Sequence, residues 1–121
     1  METKNYGWPE RMVVWGVSLF FLAAGGSKLA GMESAVDVFH RFGLPLWFMY
    51  LTAAIEIAGA LLLHVRRYPL GLAAPVVLGV TMIVGAGLHL TFDPPMMAAP
   101  AIVLTVLLAI VAFMRLPQKS T

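Results

Sequence analysis

Four apolar stretches, over about 12–30, 46–64, 70–91 and 96–114, fill most of this 121-residue chain and decide what it can fold into. As helices they would rise roughly 28–33 Å, which matches the ~30 Å hydrocarbon thickness of a bilayer. Backbone N–H and C=O groups find no water there, so each stretch must satisfy them internally as an α-helix. The breaks between spans are short, so sequential spans run antiparallel. The expected fold is all-α: an integral membrane four-helix antiparallel bundle, forming a single four-span transmembrane domain over 1–121. Composition agrees, because only 12% of the residues are charged, against about 25% in soluble domains. No basic run points to nucleic acid. The chain contains no cysteine, which excludes disulfides, thiolate metal sites and iron–sulfur clusters. Any electron transfer would need a bound cofactor, a partner subunit or a diffusible quinone.

Residues 1–11 are a polar lead whose Tyr6 and Trp8 suit a membrane–water interface. With Ala23-Ala24-Gly25-Gly26 the lead imitates a signal peptide, but three further spans make the first stretch a retained helix. Residues 31–45 are not a span. Met32, Ala35, Val36, Phe39 and Phe42 recur at helical spacing against Glu33, Ser34, Asp37 and Arg41, which predicts a short amphipathic helix on the membrane surface. Gly43 and Pro45 end it. Ala98, Ala101, Thr105, Ala109 and Ala112 form a small-residue packing seam on the last span. Four spans place both termini on one side with Lys4, Arg11, Arg66, Arg67, Arg115 and Lys119, leaving Lys28 and Arg41 for the other. That bias predicts that both termini are cytoplasmic.

The second span carries one acid, Glu56, roughly 15 Å from its Leu46 end. Ionised at that depth, a carboxyl costs about 2.5 kcal/mol or more, so intramembrane acids mark function by default. Thr52, Gly59 and Ala60 share its face, and small faces are where helices approach closely. Lys28 near the end of span one and His89 near the end of span three lean into the membrane, whereas Glu56 leans toward them, because helical side chains tilt toward their own N-terminus. The vertical gap is roughly 10 Å. The expected site is therefore a polar cluster of Lys28, Glu56 and His89 with Asp93 at its mouth, and with Thr52, Met82 and Trp47 beside it. Burial and a neighbouring ammonium act in opposite senses on whether the acid is ionised. Such a pair can bind and protonate the polar head of a hydrophobic small molecule, with a quinone carbonyl or a phenol as the suitable chemistry. It can equally be a structural lock, and Lys28 can snorkel to the headgroups. Histidine and carboxylate spacing gives no zinc or haem pattern, so no metal is expected.

Several short motifs together resemble the DoxX-like family of small four-span membrane proteins over roughly 13–116. They are Phe21-Leu22-Ala23-Ala24-Gly25-Gly26-Ser27-Lys28-Leu29, then Phe39-x3-Gly43-Leu44-Pro45-x-Trp47, then Glu56-Ile57-Ala58-Gly59-Ala60-Leu61, then Met82-x3-Ala86 and His89-Leu90. The resemblance implies a multi-pass protein of the bacterial plasma (inner) membrane. For some members it implies association with quinone-linked sulfur oxidation or oxidative-stress complexes. It marks Lys28, Glu56 and His89 as the matching polar positions.

Three functions are compatible with these residues. The first is a quinone- or lipid-linked protein, either a membrane redox-complex subunit or a small membrane enzyme. The second is a structural or assembly subunit, with self-association into a homo-oligomer open to it through the small-residue stripes. The third is a proton-coupled transporter. Small multidrug transporters also have four spans and a membrane glutamate, but theirs lies in the first span and their charge bias is weak.

Overall fold

The computed structural model of the chain describes residues 2–3 and 7–118; Lys4, Tyr6 and Lys119, used above for topology, lie outside the described residues. Five α-helices follow in order: α1 (Trp8–Leu29), α2 (Glu33–Arg41), α3 (Leu46–Leu62), α4 (Leu70–Phe92) and α5 (Ala99–Met114). A 3₁₀ turn, Pro95–Ala98, leads into α5. Strands β1 (Glu2–Thr3) and β2 (Pro117–Gln118) pair antiparallel, with Glu2 opposite Gln118, and so join the two ends of the chain. The architecture is an all-α membrane bundle. In it α1 packs on α3 and α4 on α5, while α3–α4 and α1–α5 contacts close the ring.

Three of these helical segments are long and apolar enough to cross a bilayer alone: α1, α4, and the 3₁₀ turn continued by α5. The fourth, α3, has 17 residues and rises only about 26 Å. It meets α2 at 117°, so α2 turns sharply away from the α3 axis, as its amphipathic pattern requires. The core is a seam of Val14, Val17, Phe21, Ala60, Leu63, Leu78, Leu104 and Leu108. Outward faces stay apolar, with Val80, Ile83, Val103 and Phe113 all exposed. Such a continuous apolar exterior on helices of spanning length suits a lipid surrounding.

Two glycines make the α1–α2–α3 corner. Gly31 and Gly43 have φ of 67° and 71°, a region where a side chain is strained. Each follows a helix end closed by paired backbone bonds: Met32 N–H to Ser27 O and Gly31 N–H to Lys28 O after α1, Leu44 N–H to Phe39 O and Gly43 N–H to His40 O after α2. These are Schellman closures, in which the left-handed residue lets the chain turn back on its last helical carbonyls. Pro45, at the N-cap of α3, then starts the next helix.

A third glycine sets the register of α1 against α3. A Cβ built on Gly25 would meet Ile57 Cγ1 at 2.7 Å, Ala53 O at 3.2 Å and Glu56 Cβ at 3.4 Å. Gly25 therefore lies level with Glu56, and Lys28 is only about 5 Å further along the axis. The sequence-based gap of roughly 10 Å assumed flush helix ends. The end of α1 is instead recessed, because the missing side chain at Gly25 lets the backbones meet deeper in the bundle.

Candidate functional site

Glu56 projects from the inner face of α3, and its side chain is 2% exposed. Lys28, one residue before the end of α1, places its Nζ 2.8 Å from Glu56 Oε1. The contact has the distance of an ion pair but not the angle of a hydrogen bond, so Oε1 is buried without a well-aligned donor. The Lys28 side chain remains 19% exposed and is the reachable member of the pair. Opposed Cβ tilts on antiparallel helices aim the two side chains at each other.

His89 does not join them. Its Nδ1 lies 2.7 Å from Asp93 Oδ2, one helical turn on, and its ring packs edge-on against Phe42 at 5.1 Å between centroids. Asp93 also accepts two hydrogen bonds from Arg41, Nε to Oδ1 at 3.0 Å and Nη2 to Oδ2 at 3.2 Å. These bonds from Arg41, and after them the one from His89, hold the Asp93 carboxyl below its ordinary value. The Arg41 guanidinium is correspondingly held more firmly protonated. Arg41 thus fastens α2 to the end of α4, and the predicted three-residue cluster is divided between a Lys28–Glu56 pair and an Arg41–Asp93–His89 latch.

The remaining expected residues are scattered. The Thr52 hydroxyl donates to Phe48 O one turn back, at 2.9 Å. Met82 packs against both the main core and the Ala86–Ala98–Ala101 cluster. Trp47 is exposed, with its ring against Phe48. Two clefts stand out among the described residues, and neither is lined by Glu56.

A second ionic network, at the end of the bundle that carries both termini, was not anticipated. Glu10 and Arg115 are each 1% exposed. Arg66 grips Glu10 with both arms, Nε to Oε2 at 2.6 Å and Nη2 to Oε1 at 3.0 Å. Arg115 Nη2 reaches the same carboxylate at 3.5 Å, and donates to Leu63 O at 2.5 Å. Its Nη1 donates to Gly71 O at 3.0 Å and, more weakly, to Val65 O at 3.4 Å. The Gly71 bond has a sequence cause. Pro75 sits inside α4 and has no N–H to give the carbonyl four residues back, so the guanidinium supplies that donor. Beside this network His64 Nε2 lies 3.1 Å from Ser18 Oγ, whose hydroxyl donates to Ala60 O at 3.3 Å. Nε2 is then the protonated nitrogen, an assignment made from the bonding pattern.

Comparison with known proteins agrees with the fold. The DoxX-like family profile matches residues 12–112. Over 44 residues the chain is 41% identical to a Bacillus subtilis protein named "Putative oxidoreductase CatD", covering 36% of this chain and 33% of that one. Over 50 residues it is 36% identical to B. subtilis "Uncharacterized protein YdgD", covering 41% of this chain and 44% of that one. The matched segments thus span well under two thirds of either relative. No solved structure matches.

Proposed function

We propose that this chain, which belongs to the DoxX-like family, takes the polar head of a quinone- or lipid-like molecule at Lys28–Glu56 as part of a membrane oxidoreductase system. The observation that carries this reading is the pair itself, an ammonium 2.8 Å from a carboxylate buried within a membrane helix. Charges at that depth are costly, and they persist where a ligand or proton uses them. Lys28, partly exposed, donates to a carbonyl oxygen of the ligand head. Glu56 holds the ammonium in place through Oε1, and accepts from a phenolic hydroxyl once the ammonium turns to the ligand. The oxidoreductase name carried by one relative is in keeping with this chemistry. The surplus of Lys and Arg at the terminal end favours a plasma-membrane orientation with both termini cytoplasmic, placing the Lys28 end outward.

The test uses the whole protein in nanodiscs, titrated with a short-chain quinone and followed by tryptophan fluorescence. Glu56→Gln and Lys28→Met should each weaken binding at least tenfold while the helical circular dichroism is retained. Parent-like binding by both variants refutes the reading. A structural lock is favoured by one observation, the tight Gly25 seam against Ala53 and Ile57 beside the pair. Under that reading the paired Lys28→Met/Glu56→Met protein keeps all function, because buried ion pairs are often replaceable by apolar side chains. Under the ligand reading it is folded and inactive.

A further inference from the structure

At the terminal end, a cleft of about 50 Å³ opens between α1 and the α3–α4 turn, lined by Glu10, Arg11, Trp15, His64, Arg66 and Arg115. Among the described residues the lining holds three arginines and one glutamate, and Arg66 and Arg115 contact that carboxylate. Arg11 is exposed and has no ion-pair partner among the described residues. Arg115 Nε is buried without a hydrogen-bond partner among the described residues, and Trp15 packs on the His64 imidazole at 4.6 Å between centroids. The space suits one compact polar group, since a water takes about 30 Å³ in the liquid, and it is too small for an organic ring system. Helix starts and ends gather at this level, where the chain leaves the hydrocarbon, so lipid phosphates lie at the same height. Arginine is the side chain whose planar donors best match a phosphate.

We infer that this cleft is an oxyanion site that seats a single phosphate group, from a lipid headgroup or free in solution, against Arg11 and Arg115 on the edge of the Glu10–Arg66–Arg115 network. Basic pockets between transmembrane helices hold phospholipid heads in this manner. The site lies roughly 25 Å along α1 from Lys28, so it stands or falls apart from the reading of that pair.

The test uses the full chain in two media. In neutral detergent, inorganic phosphate is compared with chloride at equal ionic strength by its shift of the thermal unfolding midpoint. In nanodiscs, phosphatidylglycerol is compared with a phosphate-free galactosyl diacylglycerol, and native mass spectrometry reads the lipid retained. Arg11→Gln is the informative variant, since Arg11 is exposed and outside the buried network; Arg67→Gln is the charge-matched control. The parent should respond to the phosphate-bearing probe, Arg11→Gln should lose at least tenfold in affinity, and Arg67→Gln should match the parent. Response to both probes assigns a free-phosphate site, and response to phosphatidylglycerol alone assigns a lipid headgroup. No response to either probe, or equal losses in the two variants, overturns the proposal.

Discussion

Replacing Arg115 by Met keeps the apolar stem and removes every donor at the junction of α3, α4 and α5. In the parent, Arg115 fills two backbone gaps: Gly71 O, left without its usual donor by Pro75, and Leu63 O at the end of α3. It also neighbours Glu10 at 3.5 Å. A buried carbonyl left unpaired costs about 1–3 kcal/mol, and breaking a buried ionic contact from one side costs about 3–5 kcal/mol. Arg66 still holds Glu10 with two short bonds, so the expected total for Arg115→Met is near the low end of that second range, about 3 kcal/mol. A double-mutant cycle isolates the Gly71 share. Pro75→Ala restores an N–H at position 75, which can donate to Gly71 O without help. Arg115→Met should then cost about 1–2 kcal/mol less in the Pro75→Ala background than in the parent. Pro75→Ala has its own packing effect, since the ring is under 2% exposed, and the cycle cancels it. The assay is denaturant unfolding in detergent micelles followed by tryptophan fluorescence. Equal costs in the two backgrounds refute the idea that the guanidinium mends the proline gap.

The α1–α3 seam and the α2 latch offer further tests. Gly25→Val puts a Cβ 2.7 Å from Ile57 Cγ1, so it should separate the helices and cost about 1–3 kcal/mol of overpacking. Gly26→Val, with nothing within 4 Å of its Cβ, should be far milder in the same thermal-unfolding assay. For the latch, Asp93 has a lower folded than unfolded value, so its stabilising effect is present at neutral pH and is lost as pH falls below about 4. Hydrogen-exchange protection of the α2 amides should follow that course, and Asp93→Asn should lower it already at pH 7. Unchanged α2 protection in Asp93→Asn would show that the helix is held by Phe39 packing alone.

What the sequence disclosed and what it hid follow from the range of the interactions. Span length and the amphipathic α2 pattern are local signals, and the helices appear where those signals lie; the expected small-residue seam of the last span holds only at Ala98 and Ala101, because Ala109 is exposed and Leu104, Leu108 and Val111 form the buried face of α5. The helix that carries the first span begins before it: Pro9, suited to a first helical turn, lets α1 start at Trp8, ahead of the apolar stretch that opens at about residue 12. Lys28 and Glu56 could be paired from chain direction and side-chain tilt, because both are properties of single helices. His89 could not be placed by that argument. Its partner, Asp93, sits one turn along the same helix, and that local competition wins over a reach across the bundle. Glu10 and Arg115 are far apart in sequence, and each looks like an ordinary charge at a span end. The available signal was Pro75 within a span: a proline there leaves an orphan carbonyl, and a buried guanidinium is one of the few groups able to serve it.

The two buried acids differ in what surrounds them, and that difference is why the proposed quinone- or lipid-head site is the Lys28–Glu56 pair. Glu10 is gripped by one arginine with two bonds and touched by a second that is itself anchored to backbone carbonyls. Moving any member unsatisfies several others, so the group behaves as a rivet. Among the described residues Glu56 has one ion-pair partner, a partly exposed lysine on a flexible stem at the recessed end of α1. A lysine is a compact charge with rotatable donors, so it can turn from the carboxylate to a ligand oxygen without dismantling backbone bonds. A chain that needed only to close its helices at that depth had apolar alternatives of similar volume. A pair held by one rotatable ammonium is the arrangement the proposed polar headgroup would enter.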